Sequence, residues 1–490
     1  MGKKIFAGCG GEMKVRTRFA PSPTGFMHIG NLRTALYAYL FARKNKGDFI
    51  LRIEDTDTER YVEGAIETIY NTLDKAGIKI DEGPFKDGGV GPYVQSQRKD
   101  IYIRYAQELV EKGGAYYCFC DKERLDTLCD ENGIRRYDKS CLRLSKKEIE
   151  EKLASGIPYV IRQNMPTEGE SSYEDMVFGK ISVPCSELED NILLKSDGMP
   201  TYNFANVVDD HLMGITHVIR GTEYLSSTPK YNLIYDSFGW QRPQYMHLPP
   251  IMKDAQRKLS KRFGDANFED FLRKGFLPEA IINYIALLGW SPKGNEEKLS
   301  MSELIDMFSV EGISKSSSIF DEQKMRWLNA LYLREKTTEE FNELAIPFYQ
   351  NSKIKDKYDY MLISKLLHHR VEVLSDIPDM INFLEEFGEY DLSLFEHKKM
   401  KTNLEIAKQA IEVAQTALKD IEFTEENIMN ALTEESLNAG IKKGQTLFCA
   451  RLALTGKAST PGGAIEIAEL LGKEESLRRL SYSQQLVENF

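Results

Sequence analysis

Residues 18–31 read RFAPSPTGFMHIGN, with Pro21, Pro23, Gly25, Gly30 and a single histidine, His28. Proline restricts the backbone and glycine lets it approach a ligand closely. Such a turn suits the place where a strand hands over to a helix. Helix N-termini present free N–H groups and a partial positive charge that favour phosphate. His28 would reach that phosphate as a hydrogen-bond donor. The same residues would equally build a plain strand-to-helix loop with His28 as the helix cap. A second stretch, RKLSKR at residues 257–262, carries four cations in six positions. Alone it reads as a solvated surface loop. Paired with the histidine turn, it would grip a triphosphate from the opposite side. Cations that meet the charge developing at a displaced phosphoryl group are the expected catalytic device.

These segments need elements to position them. VRTRFA alternates Val15, Thr17 and Phe19 with Arg16, Arg18 and Ala20 and reads as a strand. Leu32, Ala35, Leu36, Tyr39 and Leu40 then fall at helical spacing, with Gly47 as a stop. DFILRIED is an apolar strand ending in acids. Val62, Ala65, Ile66, Ile69, Tyr70 and Leu73 mark a second amphipathic helix. This order predicts a parallel sheet with crossover helices, whose ligands bind at the C-terminal strand ends. From about residue 89 to residue 198 the rhythm breaks, around a cysteine cluster and the charged helix SKKEIEEKL. It resumes with YNFANVVDDHLMG, THVIRG and STPKYNLIYDSFG, so the sheet is split by an insert. From Met325 onward the patterns are amphipathic helices, among them EEFNELAIPFY, ISKLLHHRVEVL and LEIAKQAIEVAQTAL.

The 490 residues allow about three to four domains. A net charge of −11 disfavours a protein that coats nucleic acid nonspecifically, yet leaves room for a local basic track. Seven cysteines with no export signal argue for a reducing, cytoplasmic setting. No apolar run reaches the ~18 residues of a membrane helix. Residues 1–13 read as a disordered extension.

The histidine turn and the cationic loop resemble the HIGH and KMSKS signatures of class I aminoacyl-tRNA synthetases. TRFAPSPTGFMHIGN, RIEDTD, GPYVQSQR, LLKSDGMPTYNFANVVDDHLMGITHVIRG, KLSKR and LTGKASTPGGAIEIAELLGKEESLRRL resemble, more narrowly, the bacterial glutamyl-tRNA synthetase family. The resemblance covers essentially everything from Val15 onward. Asn31 stands in place of the second histidine of HIGH, and KMSKS reads KLSKR. A second-histidine role therefore does not carry over. The glutaminyl relative has a different opening motif and a β-rich anticodon region. A non-enzymatic tRNA-binding descendant should have lost His28 or Lys261.

The resemblance implies a multidomain α/β plus all-α fold. A split Rossmann-type parallel sheet would carry an inserted acceptor-binding domain, a stem-contact region and a C-terminal helical anticodon-binding domain. The implied catalytic halves are residues 14–98 and 199–253. The acceptor-stem insert spans 99–198, the KLSKR loop and stem-contact region 254–335, and the anticodon-binding domain 336–490. The implied reaction activates glutamate with ATP and Mg²⁺, then transfers it to tRNA(Glu), with tRNA(Gln) left open as a second acceptor. His28, Lys258 and Lys261 would be catalytic. Gly30, Asn31, Glu223 and Ser260 would join them around ATP. Arg18, Ala20, Ser22, Glu54, Tyr202, Asn206 and Arg220 would hold L-glutamate, the two arginines taking its carboxylates and Glu54 its ammonium. Arg370 would contact the anticodon, and the protein would act as a monomer.

Some members of the family bind zinc through a Cys-x-Cys pair and a later Cys-x-His. Here Cys118, Cys120 and Cys141 match, but Arg143 stands where the histidine would be. Tyr137 or Cys129 would then complete a tetrahedral set. The alternative is a degenerate site of free thiols.

Overall fold

A computed structural model of the chain describes residues 14–57, 62–128, 137–259, 267–355, 357–385 and 387–489. The chain divides into two compact units, Met1–Phe271 with Ile281–Asp321, and Leu272–Ala280 with Glu322–Phe490.

In the first unit, β1 (Arg16–Phe19) leads into α1 (Ile29–Lys44) and then β2 (Asp48–Leu51), which pairs parallel to β1. Gly47 closes that return, because a Cβ there would lie 2.2 Å from the Val15 carbonyl oxygen. α2 (Ala65–Lys75) and α3 (Lys99–Glu111) follow. The interposed segment holds β3 (Ala115–Cys118), α4 (Lys122–Asp126), α5 (Lys146–Ala154), β4 (Val160–Gln163), β5 (Glu170–Asp175), β6 (Gly179–Pro184) and β7 (Ile192–Leu194). α6 (Tyr202–Leu212), β8 (His217–Gly221), α7 (Thr228–Phe238) and β9 (Gln244–Leu248) restore the α/β pattern.

β8 and β9 pair parallel. β1 runs beside the start of β8, where the Thr216 N–H donates to the Arg16 carbonyl at 2.9 Å. β1–β2 and β8–β9 are thus two separately paired parallel sheets, from the two sides of the insert, laid side by side at β1 and β8. The insert also joins in, since β5 pairs parallel to β9 at Asp175 and Tyr245. β3, β4 and β7 form a separate antiparallel sheet. Its Ala115, Ile161 and Leu194 share a core with Phe204 and Val208 of α6 and Ile234 of α7. The insert is thus fixed by apolar burial to α6 and α7, the helices that follow it in the chain. A short parallel pair, β10 (Ile251–Met252) and β11 (Ser318–Ile319), carries the chain toward the cationic loop. α8 (Phe268–Lys274), α9 (Pro278–Leu287) and α10 (Met301–Met307) follow β10 in the chain, α8 and α9 crossing the division between units.

In the second unit every regular element among the described residues is helical. The helices are α11 (Glu322–Arg334), α12 (Thr338–Gln350), α13 (Tyr360–Leu367), α14 (Ile377–Met380), α15 (Leu404–Leu418), α16 (Glu425–Asn438), α17 (Lys443–Thr455) and α18 (Ala464–Glu488). The sequence pattern carries α13 on through Arg370, but the helix stops at Leu367. The Arg370 and Val371 N–H groups both turn back to the Leu367 carbonyl, and the Arg370 side chain donates to the Leu366 carbonyl at 2.6 Å. A cation on the last free carbonyls is a favoured helix ending.

Candidate active site

Between β1 and α1 the backbone folds tightly, with the Thr24 N–H donating to the Ser22 carbonyl at 2.9 Å. The turn lies along the exit of β2, where the Glu54 N–H donates to the Pro21 carbonyl at 3.0 Å. His28 is the N-cap of α1, and its Nδ1 accepts from the Gly30 N–H at 3.0 Å. Gly30 fits because a Cβ would approach that ring nitrogen to 3.2 Å. The capping bond fixes the tautomer: Nδ1 offers its lone pair, so the proton of neutral His28 sits on Nε2. Capping and hydrogen-bond donation are therefore compatible roles for one ring. Gly30 is half-buried and Asn31 exposed beside it, while Ala20 is half-buried and Ser22 exposed at the strand end.

Alternation places Arg18 on a polar face, yet it is buried. It belongs to a closed set of charges under the turn. Arg18 Nε and Nη2 donate to the two oxygens of Asp210 at 3.1 and 3.3 Å. Arg52, fully buried, donates to Asp210 Oδ1 at 2.7 Å and to Glu54 Oε1 at 2.9 Å. Arg98 Nε donates to Asp209 Oδ1 at 2.7 Å, and Gln95 and Tyr102 donate to Asp209 Oδ2. Three buried cations thus face three buried anions. Against the burial that would raise it, Arg18 and Arg52 hold the Asp210 carboxyl below its usual range. Burial pushes the Glu54 carboxyl up despite Arg52 and Arg18. Removing one member of such a set strands its partner in a low-dielectric interior, a loss of about 3–5 kcal/mol.

α6 begins with Tyr202, which lies within electrostatic reach of both Glu54 and Arg220 and whose hydroxyl burial pushes well up. Buried Asn206 donates to the Tyr202 carbonyl at 2.7 Å. Arg220 closes the neighbourhood from β8, ringed by Tyr224, Tyr231 and Tyr245 with ring centroids 5.0, 5.0 and 5.6 Å from its guanidinium carbon. The exposed Glu223 follows in a 3-10 turn, Thr222–Tyr224.

Lys258 is exposed on a tight hairpin and faces Met252 across an antiparallel bridge. Asp254, held to about 2 by Arg257 and by backbone N–H groups, closes that hairpin. Ser260 and Lys261 lie outside the described residues, as does Cys129. Behind α1, buried Arg33 donates to the Leu288 carbonyl at 2.9 Å and to the Pro249 carbonyl. It thereby ties the capped helix to the connection leading toward Lys258.

The cysteines form a second centre. The sulfurs of Cys118, Cys120 and Cys141 lie within 4.8 Å of one another. The Tyr137 hydroxyl is 3.2 Å from Cys118 Sγ and 3.5 Å from Cys120 Sγ. Cys120 and Cys141 are 3.6 Å apart. Zinc–sulfur bonds of about 2.3 Å in a tetrahedron put sulfurs about 3.8 Å apart, so the donor set fits zinc. Arg162 Nε donates to Cys118 Sγ at 3.3 Å and the guanidinium lies over the Tyr137 ring. Bonds from Cys118, Tyr137 and the Phe119 N–H hold the Cys141 thiol below its usual range.

Residues 14–327 match the family described as tRNA synthetases class I (E and Q), catalytic domain, and residues 340–483 match an anticodon binding domain. A glutamate–tRNA ligase of Clostridium kluyveri is 57% identical over 96% of this chain and 97% of its own length. One from Clostridium botulinum is 57% identical over 97% of this chain and 99% of its own. This chain belongs to the glutamate–tRNA ligase family of class I synthetases. A solved glutamate tRNA ligase of Elizabethkingia meningosepticum, in complex with its amino acid, superimposes with a TM-score of 0.87 at 35% identity, covering 97% of this chain and all of that one.

For this ligase family member, the fold brings Glu54 within electrostatic reach of Arg18, Tyr202 within reach of Glu54 and Arg220, and Asn206 against the Tyr202 carbonyl. Arg370 belongs to the helical unit, where it is exposed. Sequence reasoning missed Arg52, Arg98, Asp209 and Asp210, the charges beneath the turn. Their signal was present: two adjacent aspartates inside the apolar helix pattern NVVDDHLMG, and an arginine opening RIEDTD. Asp175 and His247, behind Arg220, had none.

Proposed function

We propose that the chain joins glutamate to tRNA(Glu) in two steps at the C-terminal ends of β1, β2 and β8. A carboxylate oxygen of glutamate attacks the α-phosphorus of ATP. The bond to the bridging oxygen breaks, and pyrophosphate leaves. The 2′-hydroxyl of the terminal adenosine then attacks the activated carbonyl, AMP leaves, and the hydroxyl proton is released. The chain's residues supply position and charge, and the substrate itself supplies the nucleophile. His28 Nε2–H, with the first N–H groups of α1 at Gly30 and Asn31, stabilises the reacting phosphates. Lys258 and Lys261 take the β- and γ-phosphates, and Mg²⁺ bound with ATP would neutralise part of their charge. Ser260 and Glu223 complete the nucleotide contacts.

Arg220 carries this reading. Its Nε and Nη2 are engaged by His247 and Thr228, and its Nη1 has no hydrogen bond among the described residues. A buried guanidinium with one arm left over suits a substrate carboxylate. Arg18 is the second carboxylate ligand, its fork oriented by Asp210. Glu54, flanked by Tyr202, receives the ammonium, and Ala20, Ser22 and Asn206 line the rest. Glutamine would leave this charge unmatched, which favours glutamate.

Cys118, Cys120, Tyr137 and Cys141 would hold a structural zinc that staples residues 99–198 near the acceptor stem. Residues 254–335 are assigned to the tRNA stem, and 336–490, with Arg370, to the anticodon. No helix among the described residues is long and apolar enough to cross a membrane. The proposed setting is the cytoplasm, where ATP and tRNA are available, and the proposed state is a monomer.

Charging of purified tRNA(Glu) with labelled glutamate tests the proposal, with glutamine and tRNA(Gln) in parallel arms. ATP-dependent charging by glutamate is expected. Preference for glutamine would sink it. Arg220→Ala should raise KM for glutamate by roughly 10- to 100-fold, the loss of one charged hydrogen bond.

A further inference from the structure

Three segments remote in sequence meet behind Arg220. His247 on β9 is fully buried, and Arg220 Nε lies 3.2 Å from its Nε2. A guanidinium can only donate. His247 must therefore present the Nε2 lone pair and carry its proton on Nδ1. That N–H meets Asp175 Oδ2 at 2.6 Å. Asp175 is itself fixed. Its Oδ1 accepts from the Val177 and Phe178 N–H groups at 3.0 and 2.9 Å, and its Oδ2 also accepts from the His247 backbone N–H at 3.2 Å. On the same edge of the guanidinium, Nη2 donates to Thr228 Oγ1 at 2.6 Å; that oxygen lies 3.3 Å from His247 Nε2, and its hydroxyl donates onward to the Tyr224 carbonyl at 2.7 Å.

The chain of bonds has one polarity throughout. Asp175 accepts from His247, and His247 accepts from Arg220. The protein thus grips the guanidinium by Nε and Nη2 and leaves Nη1 directed by rigid geometry. A buried histidine satisfied on both nitrogens is, on its own, an ordinary core feature. Its position between an anchored carboxylate and the carboxylate-binding arginine gives it a further consequence.

We infer that Asp175 and His247 are positioning residues that aim Arg220 at the carboxylate of glutamate. The inference rests on the reading of Arg220 as a glutamate ligand. It also assigns the interposed segment a part in amino-acid binding, because Asp175 is supplied by β5. An imidazole tilted or reprotonated by loss of Asp175 turns an N–H toward the Arg220 N–H, and the guanidinium must move.

Aminoacylation kinetics on the full-length chain test this with four variants. His247→Phe fills the site but removes both hydrogen bonds, and should raise KM for glutamate roughly 10- to 100-fold. Its KM for ATP should stay within about twofold of wild type, as the effect of a charged hydrogen bond is confined to the ligand it serves. His247→Gln retains an acceptor for Arg220 and a donor for Asp175, and should restore KM for glutamate to within about threefold. Asp175→Asn keeps an oxygen for the Val177 and Phe178 N–H groups yet offers His247 a donor, and should reproduce the selective rise even if His247→Phe unfolds early. Equal rises in both KM values, or a glutamate KM unchanged in folded His247→Phe and Asp175→Asn, would overturn the relay. Arg220→Ala separates the two claims. If it leaves the glutamate KM unchanged, the ligand reading falls and the relay with it. If it raises that KM while the relay variants do not, the relay alone falls.

Discussion

His28 shows how one residue can serve structure and chemistry through different atoms. Nδ1 closes the first turn of α1 with the Gly30 N–H, and that bond commits Nε2 to donation. The two roles can be separated by substitution. Asparagine is a strong N-cap, so His28→Asn should keep thermal stability close to wild type while lowering kcat by roughly 10²–10³, the usual loss on removing one transition-state donor. His28→Ala should lose the same rate and also about 1 kcal/mol of stability. Urea melts and single-turnover adenylate formation measure both. Near-wild-type turnover in His28→Asn would remove the histidine from the chemistry and leave it a cap. The role of Arg18 was only half legible at this scale. The alternation in VRTRFA puts its side chain opposite Phe19 and Thr17, but a parallel strand is buried on both faces, so the opposite face is also interior.

Among elements, the cysteine centre joins the end of β3 to the 3-10 turn Ser140–Arg143. The turn buries only Cys141 of its own: Tyr116, Cys118 and Cys141 form a small cluster, with Cys120, Tyr137, Leu144 and Val160 packed on it. A metal would tie the two together, and Arg162 would offset part of the negative charge of three thiolates and a phenolate. Purified chain should contain one zinc by elemental analysis. Cys120→Ser should lose it, and Tyr137→Phe should bind it more weakly while keeping three sulfurs. A full-length preparation free of zinc after growth in zinc-supplemented medium would leave the thiol cluster as the correct description. The Cys-x-Cys spacing was visible in sequence. For the fourth donor the resemblance left Tyr137 and Cys129 as alternatives, and the turn that returns Cys141 to β3 brings the Tyr137 hydroxyl to the sulfurs.

For the whole molecule, the second compact unit claims Leu272–Ala280 from within the catalytic part of the chain. Phe276 and Leu277 are buried there, and the Leu277 N–H donates to Asn329 Oδ1 at 2.8 Å. A chain truncated after Asp321 should therefore expose both side chains, each representing about 1.5–3 kcal/mol of burial. Enhanced binding of an apolar dye, relieved by polar substitution at Phe276 and Leu277, is the expected readout. Dye binding no greater than that of the full chain would show that the segment finds other cover. The helical character of this unit was legible from periodicity in α12 and α15. The segment that joins it from upstream was not, since a short apolar run carries no address.

The sequence by itself determined the order of strands and helices, the histidine turn, the cationic loop and the three matching cysteines. These are local matters, set by periodicity and turn chemistry over a few residues. Only the tertiary structure decided which charges belong together. Arg18 meets Asp210 across 192 residues, Arg52 meets Asp210 across 158, and His247 meets Asp175 across 72. An aspartate or arginine is written the same way whether it faces water or the interior. Once folding removes water, each charge must find a partner or strand its own desolvation energy, and that requirement selects the pairs.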